Sequence, residues 1–210
     1  IVGGSGFVGG RLVQAAQEQG YAVSWTYASH RANLPGNALH ANFSTGITGE
    51  LDRYLTNSTP EVIVYCSSPS ARADVLLHRQ VNISGMQHIL GKLGLARPKP
   101  LFIYLSTNAV FGGNGSRREN DRPDPEERWD ELREYACTKA EAEQWLLREW
   151  TESLVVRTAT VGGRKADGSW SRRLGAAIKE LQSGVGVRRF NDRYISPTLV
   201  DDLVAALLEM

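Results

Sequence analysis

Short apolar runs alternate with amphipathic stretches along almost the whole chain. Val62-Ile63-Val64-Tyr65-Cys66 and Leu101-Phe102-Ile103-Tyr104-Leu105 are continuous. Runs of that length without polar alternation mark parallel strands covered on both faces. Residues 21–27 and 154–157 predict two more strands. Helices are expected between them: 7–19, which Gly20 ends, then about 50–55, a long one over 73–95, one running through 141–150, and one over 171–184. Val200, Leu203, Val204, Leu207 and Leu208 form one stripe of a last amphipathic helix. This alternation predicts an α/β protein with a Rossmann-type doubly wound parallel sheet.

The chain opens IVGGSGFVGG, with Gly3, Gly6 and Gly9 three apart between an apolar pair and the first helix. Glycines tolerate positive φ and let backbone approach a ligand, and the following helix start offers free N–H groups and a positive dipole end. Such a turn suits a pyrophosphate, with Gly3, Gly6, Phe7 and Val8 against it, although glycine turns also serve as plain strand–helix connections. A first strand usually needs ~5–6 residues, and here Ile1-Val2 alone precede the turn, so the chain is expected to lack its true start.

Composition narrows the class. The 210 residues suffice for one large α/β domain with a small lobe. Lys and Arg total 24 against 23 Asp and Glu, a formal charge of +1, so no global basic field points to nucleic acid or an anionic membrane. No run approaches the ~20 apolar residues of a membrane span. Cys66 and Cys137 are the only cysteines, and with the four histidines they show no metal-ligand spacing. That usage suits a reducing compartment, so the expected location is cytoplasmic and no metal is expected.

The strand over 21–27 runs into Ala28-Ser29-His30-Arg31 without the carboxylate that grips a ribose 2′-hydroxyl in NAD sites. Ser29, His30 and Arg31 suit a 2′-phosphate better, which favours NADP(H) over NAD(H). Cys66, Ser67 and Ser68 close a buried strand where a cofactor's ribose or phosphates would pass. Tyr135 and Lys139 stand four apart, on one helix face. Reducing a ketone needs a proton donor at oxygen, and an ammonium nearby lowers a phenol's pKa from its usual ~10.

Together these motifs resemble the extended branch of the short-chain dehydrogenase/reductase superfamily, and STNAVFGG at 106–113 is similar to the STDYVFDG segment of dTDP-4-dehydrorhamnose reductases. The resemblance carries the superfamily's catalytic Ser/Thr onto Thr107, beside Tyr135 and Lys139. It implies that Lys139 also holds the nicotinamide ribose, that Asn42 with Phe43 lies by the adenine, and that Asn82 fixes the active-site backbone. Asn108 and Ala109 replace the family's Asp and Tyr, leaving Asn108 as a substrate contact. Arg157-Thr158-Ala159-Thr160-Val161-Gly162 is similar to RTSWVYG, which puts Thr158 along the nicotinamide, and Arg193 falls where an arginine binds a nucleotide-sugar pyrophosphate. Arg172 and Arg173 are open to two readings, a contact to substrate phosphates or, more ordinarily, a solvated face. Residues 113–134 are charge- and proline-rich, a candidate lid with an apparent insertion over 126–134.

On this resemblance, residues 1–160 form the NADP-binding domain and 161–210 a partial substrate lobe. The implied activity is NADPH-dependent reduction of a nucleotide-linked keto sugar by a homodimer. Two alternatives stay open: an NAD(P)-dependent sugar epimerase, and a non-catalytic NADP-binding subunit like the β subunit of methionine adenosyltransferase.

Overall fold

The computed structural model describes residues 1–113, 115–184 and 196–210. Its parallel strands are β1 (Ser24–Tyr27), β2 (Asn37–His40), β3 (Val62–Tyr65), β4 (Leu101–Thr107) and β5 (Ser153–Thr158). β1 pairs with β2, and β3–β4–β5 form a second ladder. Ile1 and Val2 join the two. The Ile1 nitrogen donates to Ser24 O and Ile1 O accepts from Thr26 N, while Val2 exchanges hydrogen bonds with Val64 and Cys66. The continuous order is therefore β2–β1–(1–2)–β3–β4–β5, the doubly wound arrangement in which strand order reverses beside the first strand.

Alternate residues of the central strands supply two cores. Ile63, Tyr65, Phe102 and Tyr104 face α2 (Gly49–Asn57), α4 (Gly85–Leu93) and α5 (Arg133–Glu149), where Leu51, Met86, Ile89 and Leu146 are buried. Val64 and Ile103 face the other way, onto Leu12 of α1 (Phe7–Glu18) and Val200, Leu203, Val204 and Leu207 of α7 (Val200–Glu209). Burial on both faces explains why these strands read as continuous apolar runs. A short parallel pair, β6 (Val161–Gly162) with β7 (Thr198–Leu199), lies beside α6 (Arg172–Ser183).

Several expected boundaries change. Residues 21–23 are not strand, because Tyr21 N still caps the end of α1 on Ala16 O. β2 has no apolar run to announce it: of its four residues only Leu39 is buried. The long helix expected over 73–95 is α3 (Val75–Arg79), a π-helical turn over Gln80–Ser84, and α4. Tyr65 and Tyr104 project from β3 and β4 into that turn, and their hydroxyls donate to Val81 O and Asn82 O. Carbonyls displaced from the regular helical ladder thus find buried partners. Over 126–134 the expected helical insertion is a 3-10 turn (Pro125–Glu127) followed by loop up to α5.

Among the described residues no helix is long and apolar enough to cross a membrane, and no cluster of His, Cys, Asp and Glu could hold a metal ion.

Candidate active site

The glycine turn and β3's end meet at the point where strand order reverses. Gly3 has φ +83° and its N–H donates to Thr26 Oγ1 at 2.8 Å. A Cβ at Gly3 would sit 2.9 Å from Ser67 N and Cα, so only glycine lets these strand ends touch. Gly6 caps α1 without a side-chain acceptor, and no carboxylate occupies the first turn. Free amides, a positive helix end and a cradle that a side chain would fill are the features a dinucleotide's pyrophosphate requires, so these residues fit it. Ser29, His30 and Arg31 stand exposed beyond the carboxyl end of β1. Asn42 turns inward on its own loop, its Oδ1 accepting from Ser44 N and Ser44 Oγ. Phe43 stacks on Tyr65.

The second cluster lies at the carboxyl ends of β4 and β5. Thr107 and Thr158 are partners in register, and Thr107 Oγ1 accepts from Ala109 N as cap of the short turn Asn108–Val110. Asn108 is exposed. α5 presents Tyr135 to this strand end on the face where Ala142 and Leu146, seven and eleven residues further on, are buried in the core. Burial pushes the Tyr135 phenol up, while hydrogen bonding with the Thr107 and Ser68 hydroxyls pulls it down. Those two contacts bring β3's end, β4's end and α5 onto one oxygen. The imidazole of His78 lies 5.5 Å from the Tyr135 ring, fully buried.

Lys139 is 2% exposed, and its Nζ donates to Leu105 O at 2.8 Å while lying 4.4 Å from the Tyr104 ring centroid. Burial lowers its pKa to about 7, against the smaller opposing pull of Cys66 and Glu143. The expected tuning of Tyr135 by Lys139 is not what shifts this phenol: desolvation comes first, and hydroxyl groups supply the countereffect. The Cys66 thiol is itself pushed up to about 12 by burial. Asn82, in the π-turn, donates from Nδ2 to Thr138 Oγ1, tying that turn to α5 at the residue before Lys139. Arg193 lies outside the described residues.

Residues that the motifs did not single out frame the cluster. Glu143, one turn beyond Lys139, is 1% exposed and takes a forked pair from Arg157. Arg157 also lies over the Phe111 ring and donates to Glu119 O. Asp124 accepts from Gly112 N and from Arg117, and Arg128 donates to Ala109 O and Phe111 O. The 113–134 stretch is thereby tied at several points to the segment after Thr107. The 135/139/143 spacing was the available signal for Glu143. A cavity of about 640 Å³ sits at the other end of the sheet, among Ile1, Tyr21, Val62 and Leu207. None of Ser68, Thr107, Tyr135, Lys139 or Thr158 lines it.

A glycine turn at the strand-order reversal, with Thr107, Tyr135 and Lys139 near neighbouring strand ends, belongs to a Rossmann-type fold that resembles the extended short-chain dehydrogenases/reductases. The chain belongs to the RmlD substrate binding domain family, whose model matches residues 1–210. It is 33% identical over 160 residues to a dTDP-4-dehydrorhamnose reductase of Mycobacterium tuberculosis, covering 71% of this chain and 49% of that protein. The chain thus spans about half the length of that curated relative. A hypothetical dTDP-4-dehydrorhamnose reductase from Sulfolobus tokodaii superposes with a TM-score of 0.77 at 21% identity, over 99% of this chain and 70% of the other. A UDP-glucose 4-epimerase from Thermotoga maritima, solved with UDP-glucose, gives 0.75 at 25% identity, over 100% and 72%.

Proposed function

We propose that this chain carries the cofactor and catalytic groups of an NADPH-dependent reductase acting on a nucleotide-linked keto sugar, with residues 161–210 contributing part of the substrate lobe. The observation that carries the reading is the convergence of Thr107, Ser68 and Tyr135, with Lys139 one turn away, next to a glycine turn open to a pyrophosphate. The family match and the named relatives support it.

NADPH, when bound, supplies the hydride to the carbonyl carbon. Thr107 hydrogen-bonds the carbonyl oxygen, and Tyr135 gives that oxygen its proton as charge develops there. The carbonyl gains a hydride and a proton to become a hydroxyl, and the phenolate recovers its proton from solvent. Lys139, with a pKa near neutrality in a buried site, steadies the end of β4 through Leu105 O, and hydrogen bonds from Thr107 and Ser68 ease formation of the phenolate. Ser29, His30 and Arg31, with no carboxylate among them, favour the 2′-phosphate of NADP(H).

The test is loss of reduced-nicotinamide absorbance with a panel of nucleotide-linked 4-keto sugars, NADPH against NADH. Turnover with NADPH on at least one member supports the reading. Cofactor binding with no net oxidation, but with interconversion of a nucleotide sugar and its epimer, would replace it with the epimerase.

A further inference from the structure

The loop that follows β1 is hydrogen-bonded at its two ends, and residues 29–34 between them form no hydrogen bond among the described residues. At the far end the buried Trp25 indole donates to Pro35 O at 2.9 Å. At the near end His40 Nε2 lies 2.8 Å from Ala28 O. A carbonyl oxygen only accepts, so Nε2 carries the hydrogen and donates it. His40 is itself held from two sides. Its backbone N–H donates to the Glu50 carboxylate in the first turn of α2 at 2.6 Å. Its ring lies 5.3 Å from that of Tyr27, its partner in register on β1. The imidazole is thus a fixed donor at the end of β2, and among the described residues its side chain hydrogen-bonds only to the loop. One to three residues beyond that bond stand Ser29, His30 and Arg31, exposed and engaged with no other side chain among the described residues. A loop anchored beside its binding groups loses less conformational freedom when those groups gather on an anion.

We propose that His40 is a positioning residue for cofactor choice: by fastening Ala28 it aims Ser29, His30 and Arg31 at the ribose 2′-phosphate of NADP(H). The inference rests on the NADPH reading above and extends it to a residue that does not touch the cofactor. NADH has no phosphate for these side chains to meet, so the fastening contributes to the affinity of one cofactor and not of the other.

Titration calorimetry with NADPH and with NADH, on wild type, His40→Phe and His40→Gln, tests this without turnover. Phenylalanine keeps a ring against Tyr27 and removes the donor, whereas the glutamine amide can donate to Ala28 O again. His40→Phe is expected to weaken NADPH about threefold to tenfold, the scale of one lost hydrogen bond, and to leave NADH within about twofold. His40→Gln should recover most of the loss. Equal weakening of both cofactors would overturn the proposal, because a tie that is merely structural does not discriminate between them. Unchanged NADPH affinity in a His40→Phe protein with the wild-type melting temperature would overturn it as well. Trypsin cleavage after exposed Arg31, followed by mass spectrometry on the cofactor-free protein, separates this proposal from the reading beneath it. If wild type binds the two cofactors equally, the NADP reading fails. The cut at Arg31 then decides the fastening alone, upheld by faster cleavage in His40→Phe and overturned by an unchanged rate.

Discussion

Lys139 carries the largest conflict between a side chain and its surroundings near the site. Burial lowers its pKa from 10.5 to about 7, so the folded protein binds fewer protons than the unfolded chain across that interval. The sign follows: the penalty is fully present below pH 7 and is relieved as pH rises towards 10.5. Melting temperatures of wild type and Lys139→Met, measured against pH, should converge or cross over that window, and parallel curves would contradict the assignment. Glu143 and Arg157 make the opposite case, a buried pair whose geometry compensates its desolvation. Glu143→Ala leaves the Arg157 guanidinium with only Glu119 O and the Phe111 face. Removing one partner of such a pair costs about 2–4 kcal/mol, discounted here because Arg157 is partly solvated, and denaturant unfolding measures it. An unchanged midpoint would show that the pair contributes nothing net.

At the scale of elements, the glycine turn and the π-turn do the positioning. Gly3→Ala must accommodate a side chain at φ +83° against the Ser67 backbone. Backbone strain of that kind costs about 1–3 kcal/mol, and dinucleotide affinity should fall with stability. Wild-type melting and wild-type NADPH affinity in this variant would contradict the close approach. The turn, β3, β4 and α5 were legible in the sequence because each combines a strong local signal with its burial. The π-turn was not, since Gln80-Val81-Asn82-Ile83-Ser84 reads as ordinary helix, and what breaks the ladder is two tyrosines from distant strands. β2 escaped for the complementary reason, being held by its pairing with β1 rather than by apolar residues of its own. Tyr135 and Lys139 could be found from spacing, whereas the burial that shifts both depends on how the sheet and helices close around them.

At the scale of the whole molecule, the sheet order gathers the carboxyl ends of β1, residues 1–2, β3, β4 and β5 along one edge, where the glycine turn, Ser68, Thr107, Thr158 and Ser29–Arg31 lie. A cofactor that binds only the folded chain stabilises it by mass action, about 2.7 kcal/mol at a hundred times its Kd. With exposed Arg31 in place of an acidic residue, NADPH should raise the melting temperature at concentrations where NADH does little, and Arg31→Ala should erase the difference. Equal shifts from the two cofactors in wild type would contradict the NADP preference. The central claim, that Tyr135 supplies the proton, is tested most directly by kcat for Tyr135→Phe on the best nucleotide-linked keto sugar, with NADPH affinity measured in parallel. The account predicts a fall of about a hundredfold or more, the scale of a lost general acid, with cofactor affinity retained. A variant that turns over within a fewfold of wild type would place the proton donor elsewhere.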